Sequence, residues 1–180
     1  MKVMVIGGGG REHAIVKKLR ENKDITELYV LPGNGGMARE ATCVPIGATD
    51  LPAIAAFARE KGIDYAVVTP DDPLVLGAVD LLEGQGVPCF GPNKAAALLE
   101  GSKAFAKDFM KRHGIPTAAY ATFSDPAAAL AYVAACPLPT VVKADGLALG
   151  KGEVIAETRE AAEAAVWAAM CEGRFGRSGE

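Results

Sequence analysis

Histidine, cysteine and aromatic side chains are scarce in this chain, and no apolar run reaches the 18 residues of a membrane-crossing helix. Two histidines, His13 and His113, are too few for a histidine-rich metal centre. The four cysteines stand at 43, 89, 136 and 171 and never form a CxxC pair, so zinc-ribbon and thioredoxin-type readings fail on spacing. Sparse cysteine fits a reducing compartment, and a cytoplasmic protein is expected. Basic excess is also missing: 19 Lys and Arg stand against 22 Asp and Glu, a formal net charge of −3. Nucleic-acid binders usually carry a basic patch or excess, so neither nucleic acid nor membrane is expected as a partner. The apolar run Val3–Ile6 is too short for a signal peptide and reads as a buried strand.

What is present is an ordinary globular balance, 50% hydrophobic and 23% charged over 180 residues. That length holds one domain and part of a second. Short β-rich runs at Val3–Ile6, Leu28–Leu31, Cys43–Ile46, Tyr65–Val68 and Val87–Phe90 alternate with helical patterns at Arg11–Arg20, Asp50–Lys61 and Leu74–Leu82. The alternation predicts an α/β domain, a doubly wound parallel sheet, over residues 1–101. The rhythm then changes. Helices are expected at Asn93–Leu99, Ser102–His113, Asp125–Ala135 and Arg159–Cys171, and strands at Ala121–Phe123, Thr140–Lys143 and Glu153–Glu157. These read as the start of an α+β module, 102–180, with too few elements to close its own core. It is expected to stop inside a domain at Glu180.

Gly7-Gly8-Gly9-Gly10-Arg11-Glu12-His13 stands between the first strand and the first helix. Glycines there let backbone N–H groups and the helix dipole approach a phosphate, with Arg11 as an extra donor; a tight turn without ligand is the plain alternative. The dinucleotide pattern G-x-G-x-x-G fails, because Glu12 or His13 stands at its last position, and NAD is set aside. Pro70-Asp71-Asp72-Pro73 follows the fourth strand; Asp71 could hold ribose hydroxyls or an amine, or Asp71 or Asp72 could cap the next helix. Lys143-Ala144-Asp145-Gly146-Leu147-Ala148-Leu149-Gly150-Lys151-Gly152 lacks Walker A spacing but places two lysines around a glycine-rich hairpin, able to fold over a polyphosphate. Lys143 alone would read as an edge-strand charge. Ser102 is a plausible N-cap, and Lys103, opposing the helix dipole so early in its helix, makes sense facing an anion. Trp167 and Met170 read as packing residues on an Ala-rich helix, and both histidines as ordinary.

Taken in order, GGGGREHA (Gly7–Ala14), PGNGG (Pro32–Gly36), PDDPLVLG (Pro70–Gly77), FGP (Phe90–Pro92), EGSKAFAKDFM (Glu100–Met110) and KADGLALGKG (Lys143–Gly152) resemble the phosphoribosylamine–glycine ligase (glycinamide ribonucleotide synthetase) family of purine synthesis, within the ATP-grasp superfamily. The resemblance runs from Met1 to about Gly179. It implies an amino-terminal α/β domain followed by the opening part of an ATP-grasp unit. It implies that Gly9, Gly10, Arg11 and Glu12 line the phosphoribosylamine pocket, with Asp71 near the ribose or amine. Lys103 and Lys143 are then expected on ATP phosphates, with Gly146, Gly150, Lys151 and Gly152 in a mobile flap over them. ATP, glycine and 5-phosphoribosylamine are the implied substrates, with a glycyl phosphate between them. Magnesium or manganese is implied for the complete enzyme, with its carboxylates and the adenine segment beyond this chain, which alone is expected to be inactive. Where the family usually has GPEAPL this chain has Thr69-Pro70-Asp71-Asp72-Pro73-Leu74, so Asp71 is one methylene shorter than the usual Glu, and Leu149 stands at a usually small flap position. The rivals are another ATP-grasp ligase or carboxylase, or a stand-alone nucleotide- or phosphate-binding module.

Overall fold

The structure, a computed structural model, describes residues 1–147 and 152–172. The chain divides into two compact units, Met1–Leu98 and Leu99–Glu180.

In the first unit β1 (Lys2–Gly7), β2 (Glu27–Pro32), β3 (Thr42–Cys43), β4 (Tyr65–Val68) and β5 (Cys89–Phe90) form one parallel sheet in the order β3-β2-β1-β4-β5. β1 is central and buried on both faces, which is why its sequence is a continuous apolar run rather than an alternation. Met4 and Ile6 point into one core with α2 (Leu51–Lys61), α3 (Asp71–Leu76) and α4 (Ala78–Glu83); Val3 and Val5 point into the other with Val16 of α1 (Gly10–Leu19). The second core also holds Leu28, Val30 and Met37. Helices thus cover both faces, as a doubly wound sheet requires.

Local chemistry sets most boundaries. Asp50 caps α2 by accepting the Ala53 N–H at 3.1 Å, and Pro52 sits in its first turn, where a missing N–H costs nothing. The single helix expected over Leu74–Leu82 is instead α3 and α4, parted at Gly77, whose φ of +96° suits glycine. β3 and β5 pair over two residues each, shorter than their apolar runs; Pro88 has no N–H to donate ahead of β5, and only its carbonyl serves the sheet, accepting from Ala66 at 3.0 Å.

The second unit begins within α5 (Lys94–Gly101) and continues with α6 (Lys103–Arg112), α7 (Pro126–Ala135), the antiparallel pair β6 (Thr140–Lys143) and β7 (Glu153–Ala156), and α8 (Arg159–Met170). Ser102, Asp125 and Thr158 cap α6, α7 and α8 with their side chains. Ala121–Phe123 is not a strand: residues 115–124 are held by side chains on α6, Lys107 donating to Thr117 Oγ1 at 2.6 Å and Tyr120 donating to Asp108 at 2.6 Å. The module does close a small core, contrary to expectation. Ala129 and Val133 of α7, Ala156 of β7 and Ala162 and Val166 of α8 pack together, with Cys136 beside them. Small side chains allow this close approach. Met170 packs against that core as expected, but Trp167 is 53% exposed, so the packing reading of Trp167 is corrected. The outer face of the hairpin is uncovered: the cross-strand partners Val141 and Ile155 are 48% and 72% exposed.

Candidate functional site

In the first unit the chain leaves β1 for β2 and β3 on one side and returns to β4 on the other. Connections diverge between β1 and β4, and open α/β sheets hold ligands at the carboxyl edge of such a switch point. The loop Gly8–Arg11 rises from β1 there, exposed along its length, and Thr69-Pro70-Asp71 rises from β4.

The glycine loop is pinned from both sides. Toward β2, Asn34 donates from Nδ2 to the Gly8 carbonyl at 2.9 Å, while its Oδ1 accepts the N–H groups of Gly36 and Met37 at 2.8 and 3.1 Å. Toward β4, Glu12 is 4% exposed and both carboxylate oxygens accept: Oε2 from the Gly9 N–H at 2.8 Å and Oε1 from the Thr69 hydroxyl at 2.6 Å. A buried carboxylate needs such partners. Gly9, Gly10 and Arg11 are open to solvent, whereas Glu12 is turned inward. Asp71 is partly exposed in the first turn of α3. The cap position there is Pro70 with no side-chain hydrogen bond, so neither Asp71 nor Asp72 is the cap. Between α1 and the Gly36–Glu40 turn lies an open groove of roughly 440 Å³ carrying His13, Lys17, Arg39 and Glu40.

In the second unit Lys103 and Lys143 are both held by acceptors. Lys103 Nζ donates to the Gly146 carbonyl at 2.8 Å. Lys143 stands directly opposite Glu153 across the hairpin, Nζ to Oε1 at 2.9 Å. Lys143 foremost, by hydrogen bond and charge, and Lys103 by charge hold Glu153 below the ordinary glutamate value. One carboxylate thus feels both ammonium groups. The stems of the glycine-rich segment are tied: Ala144 N–H donates to the Gly152 carbonyl at 2.8 Å, and Gly152 is buried. Asp145 accepts from the Ser102 hydroxyl at 2.9 Å and from the Ala104 N–H at 3.1 Å. Burial alone would raise the Asp145 carboxyl, but these hydrogen bonds outweigh it and hold it below its usual value. Gly150 and Lys151, expected in the flap, lie outside the described residues.

Sequence reading missed Thr69, Asp145 and Glu153. Glu153 had a signal, since strands ending at Lys143 and starting at Glu153 put opposite charges across a hairpin. Thr69 and Asp145 had none, because their partners lie 57 and 43 positions away.

The family profile for the phosphoribosylglycinamide synthetase N domain matches residues 1–100, and that for its ATP-grasp (A) domain matches residues 101–180. The phosphoribosylamine–glycine ligases of Allochromatium vinosum and Vibrio cholerae are each 51% identical over 181 aligned positions, 99% of this chain. The chain spans about 42% of the length of these curated relatives. The crystal structure of phosphoribosylamine–glycine ligase from Thermotoga maritima matches with a TM-score of 0.70 at 33% identity, covering 89% of this chain and 37% of that one. A biotin carboxylase domain of 2-oxoglutarate carboxylase from Hydrogenobacter thermophilus shares the fold, with a TM-score of 0.77 at 22% identity over 98% of this chain and 42% of that one. No helix among the described residues is long and apolar enough to cross a membrane. With both of its units matched in order, the chain belongs to the phosphoribosylglycinamide synthetase family, an α/β N domain followed by ATP-grasp.

Proposed function

We propose that this chain carries the phosphoribosyl-facing and ATP-phosphate-facing parts of a cytoplasmic ligase that joins glycine to 5-phosphoribosylamine, with ATP converted to ADP and phosphate. The observation that carries the reading is 51% identity over 99% of the chain to relatives named for that activity. A carboxylate is a poor electrophile. ATP would phosphorylate glycine to glycyl phosphate, the phosphoribosylamine nitrogen would attack its carbonyl, and phosphate would leave. Such chemistry asks the protein for positioning, charge neutralisation and exclusion of water.

The residues suit those tasks. The exposed N–H groups of Gly10 and Arg11 and the Arg11 guanidinium would receive the sugar phosphate, beside Gly9, and Asp71 the ribose or amine. Lys103 and Lys143 would move from the Gly146 carbonyl and Glu153 onto ATP phosphates, an exchange favoured because a polyphosphate carries more charge than either acceptor. Val141 and Ile155, on the same face of the hairpin as Lys143, offer an apolar platform for the purine base. Gly146 to Gly152, with Gly150 and Lys151, would cover the phosphates against water. Among the described residues no three His, Cys, Asp or Glu side chains come together to hold a metal ion, so these residues do not fit the magnesium or manganese that the family resemblance implies.

The test is a chimera in which this chain replaces the matching segment of the Vibrio cholerae relative. Glycine- and ATP-dependent formation of glycinamide ribonucleotide is expected, and its slowing by Lys143→Ala. A folded chimera that turns over ATP with a different acceptor would favour another ATP-grasp ligase.

A further inference from the structure

We propose that Thr69 is a positioning residue for the switch-point site: its hydroxyl, acting through Glu12, sets the conformation in which the Gly9–Arg11 loop meets a phosphorylated sugar. This rests on the reading of that loop given under Proposed function, and goes beyond it by removing Glu12 from the set of ligand contacts. Glu12 is 4% exposed, and each of its oxygens is engaged inside the protein. It is therefore built to hold the loop rather than to reach a substrate.

The connection is short and complete. Thr69 directly follows β4, Glu12 stands in the first turn of α1, and Gly9 is the cap residue of that helix. The Thr69 hydroxyl donates to Oε1 at 2.6 Å, and Oε2 accepts the Gly9 N–H at 2.8 Å. Gly9 N–H is thereby engaged inside the protein, while the next residues, Gly10 and Arg11, are exposed. The carboxylate also fills the space beside the glycines. A Cβ on Gly7 would lie 2.6 Å from Glu12 Cγ, and one on Gly9 2.8 Å from Oε2. Without the hydroxyl, Oε1 would lose its donor in a nearly dry position. The carboxylate would turn toward water and release Gly9 with it. Asn34 anchors the β2 side, through the Gly8 carbonyl, and among the described residues no other side chain takes the place of Thr69 on the β4 side.

The experiment compares Thr69→Val, which keeps the shape and loses the hydroxyl, with Thr69→Ser, which keeps the hydroxyl. Both are made in the full chain and read by backbone amide NMR, first without ligand and then in a titration with ribose 5-phosphate. Thr69→Val is expected to move the Gly9 amide while the β1 and β2 amides stay in place, and to weaken ribose 5-phosphate binding by about fivefold to tenfold; Thr69→Ser is expected to restore both to within about twofold. A merely structural role would lower the melting temperature without this rescue pattern. An unmoved Gly9 amide in Thr69→Val, or unchanged affinity, overturns the proposal. If Thr69→Val does not fold, Thr69→Ala carries the same comparison. If the wild-type chain shows no response to ribose 5-phosphate, the sugar-phosphate reading fails by itself, while the ligand-free Gly9 shift still decides whether Thr69 holds the loop.

Discussion

Lys143 and Glu153 face each other across the β6–β7 hairpin at 2.9 Å, both nearly half exposed, so the ammonium expected on a phosphate rests on a carboxylate one strand away. An exposed pair of this kind is screened and stabilises little. Its effect is on charge: the carboxylate neutralises the Lys143 ammonium.

Glu153 should therefore titrate below an ordinary glutamate, and Lys143→Ala should bring its value back up. The sign follows from linkage. A depressed carboxylate adds stability above its unfolded value, and that stability is lost as pH falls through the folded value. Carboxyl carbon NMR across an acid titration reads the shift directly. A Glu153 titration unmoved by Lys143→Ala would show that the pair does not form in solution.

Ser102→Ala should destabilise the second unit by about 1–2 kcal/mol, because it removes the α6 cap and one donor to Asp145 together. Asp145, held below its usual value, loses its contribution as pH falls through its folded value. Urea denaturation at neutral pH and at successively lower pH should show the Ser102→Ala penalty shrinking as Asp145 takes up its proton. A penalty that stays constant down to the pH at which carboxyl NMR shows Asp145 protonated would refute a charged Asp145 as Ser102's partner.

Gly7 and Gly10 should respond oppositely to alanine. Gly7 has φ +126° and a Cβ there would meet Glu12 Cγ at 2.6 Å and Pro70 Cγ at 2.8 Å, so Gly7→Ala should cost about 2–3 kcal/mol. A Cβ on Gly10, the first residue of α1, meets nothing within 4 Å, so Gly10→Ala should leave stability unchanged or raise it by up to about 1 kcal/mol. Chemical denaturation separates the two. If Gly10→Ala keeps stability but loses ribose 5-phosphate binding, the open space at Gly10 is ligand space.

In the chimera with the Vibrio cholerae relative, Lys103→Ala and Lys143→Ala should each lower kcat/KM for ATP by about tenfold to a thousandfold, as expected for lost charge stabilisation of a transferring phosphoryl group. Circular dichroism should show both variants folded. Equal kcat/KM to the unsubstituted chimera would remove that lysine from the ATP site.

Most helices and strands, and the order of the chemistry-bearing segments, were legible in the residues alone, although the helix expected over Leu74–Leu82 parts at Gly77 and β3 and β5 pair over only two residues. Continuous apolar runs marked the buried parallel strands, while Asp50, Ser102 and Asp125 announced the helices they cap. Those signals act over a few residues, through backbone propensity and local hydrogen bonds, so they can be read without the fold. Tertiary structure alone decided that Glu12 turns inward onto Thr69, that Asp145 ties the glycine-rich segment to Ser102, that Trp167 stays exposed and that Ala121–Phe123 finds no strand partner. Each of these depends on groups far apart in the chain, brought together only when apolar burial closes the sheet and the small core around α7 and α8. A carboxylate near a glycine loop can serve a ligand or the protein, and its burial and available donors, properties of the folded state, decide which.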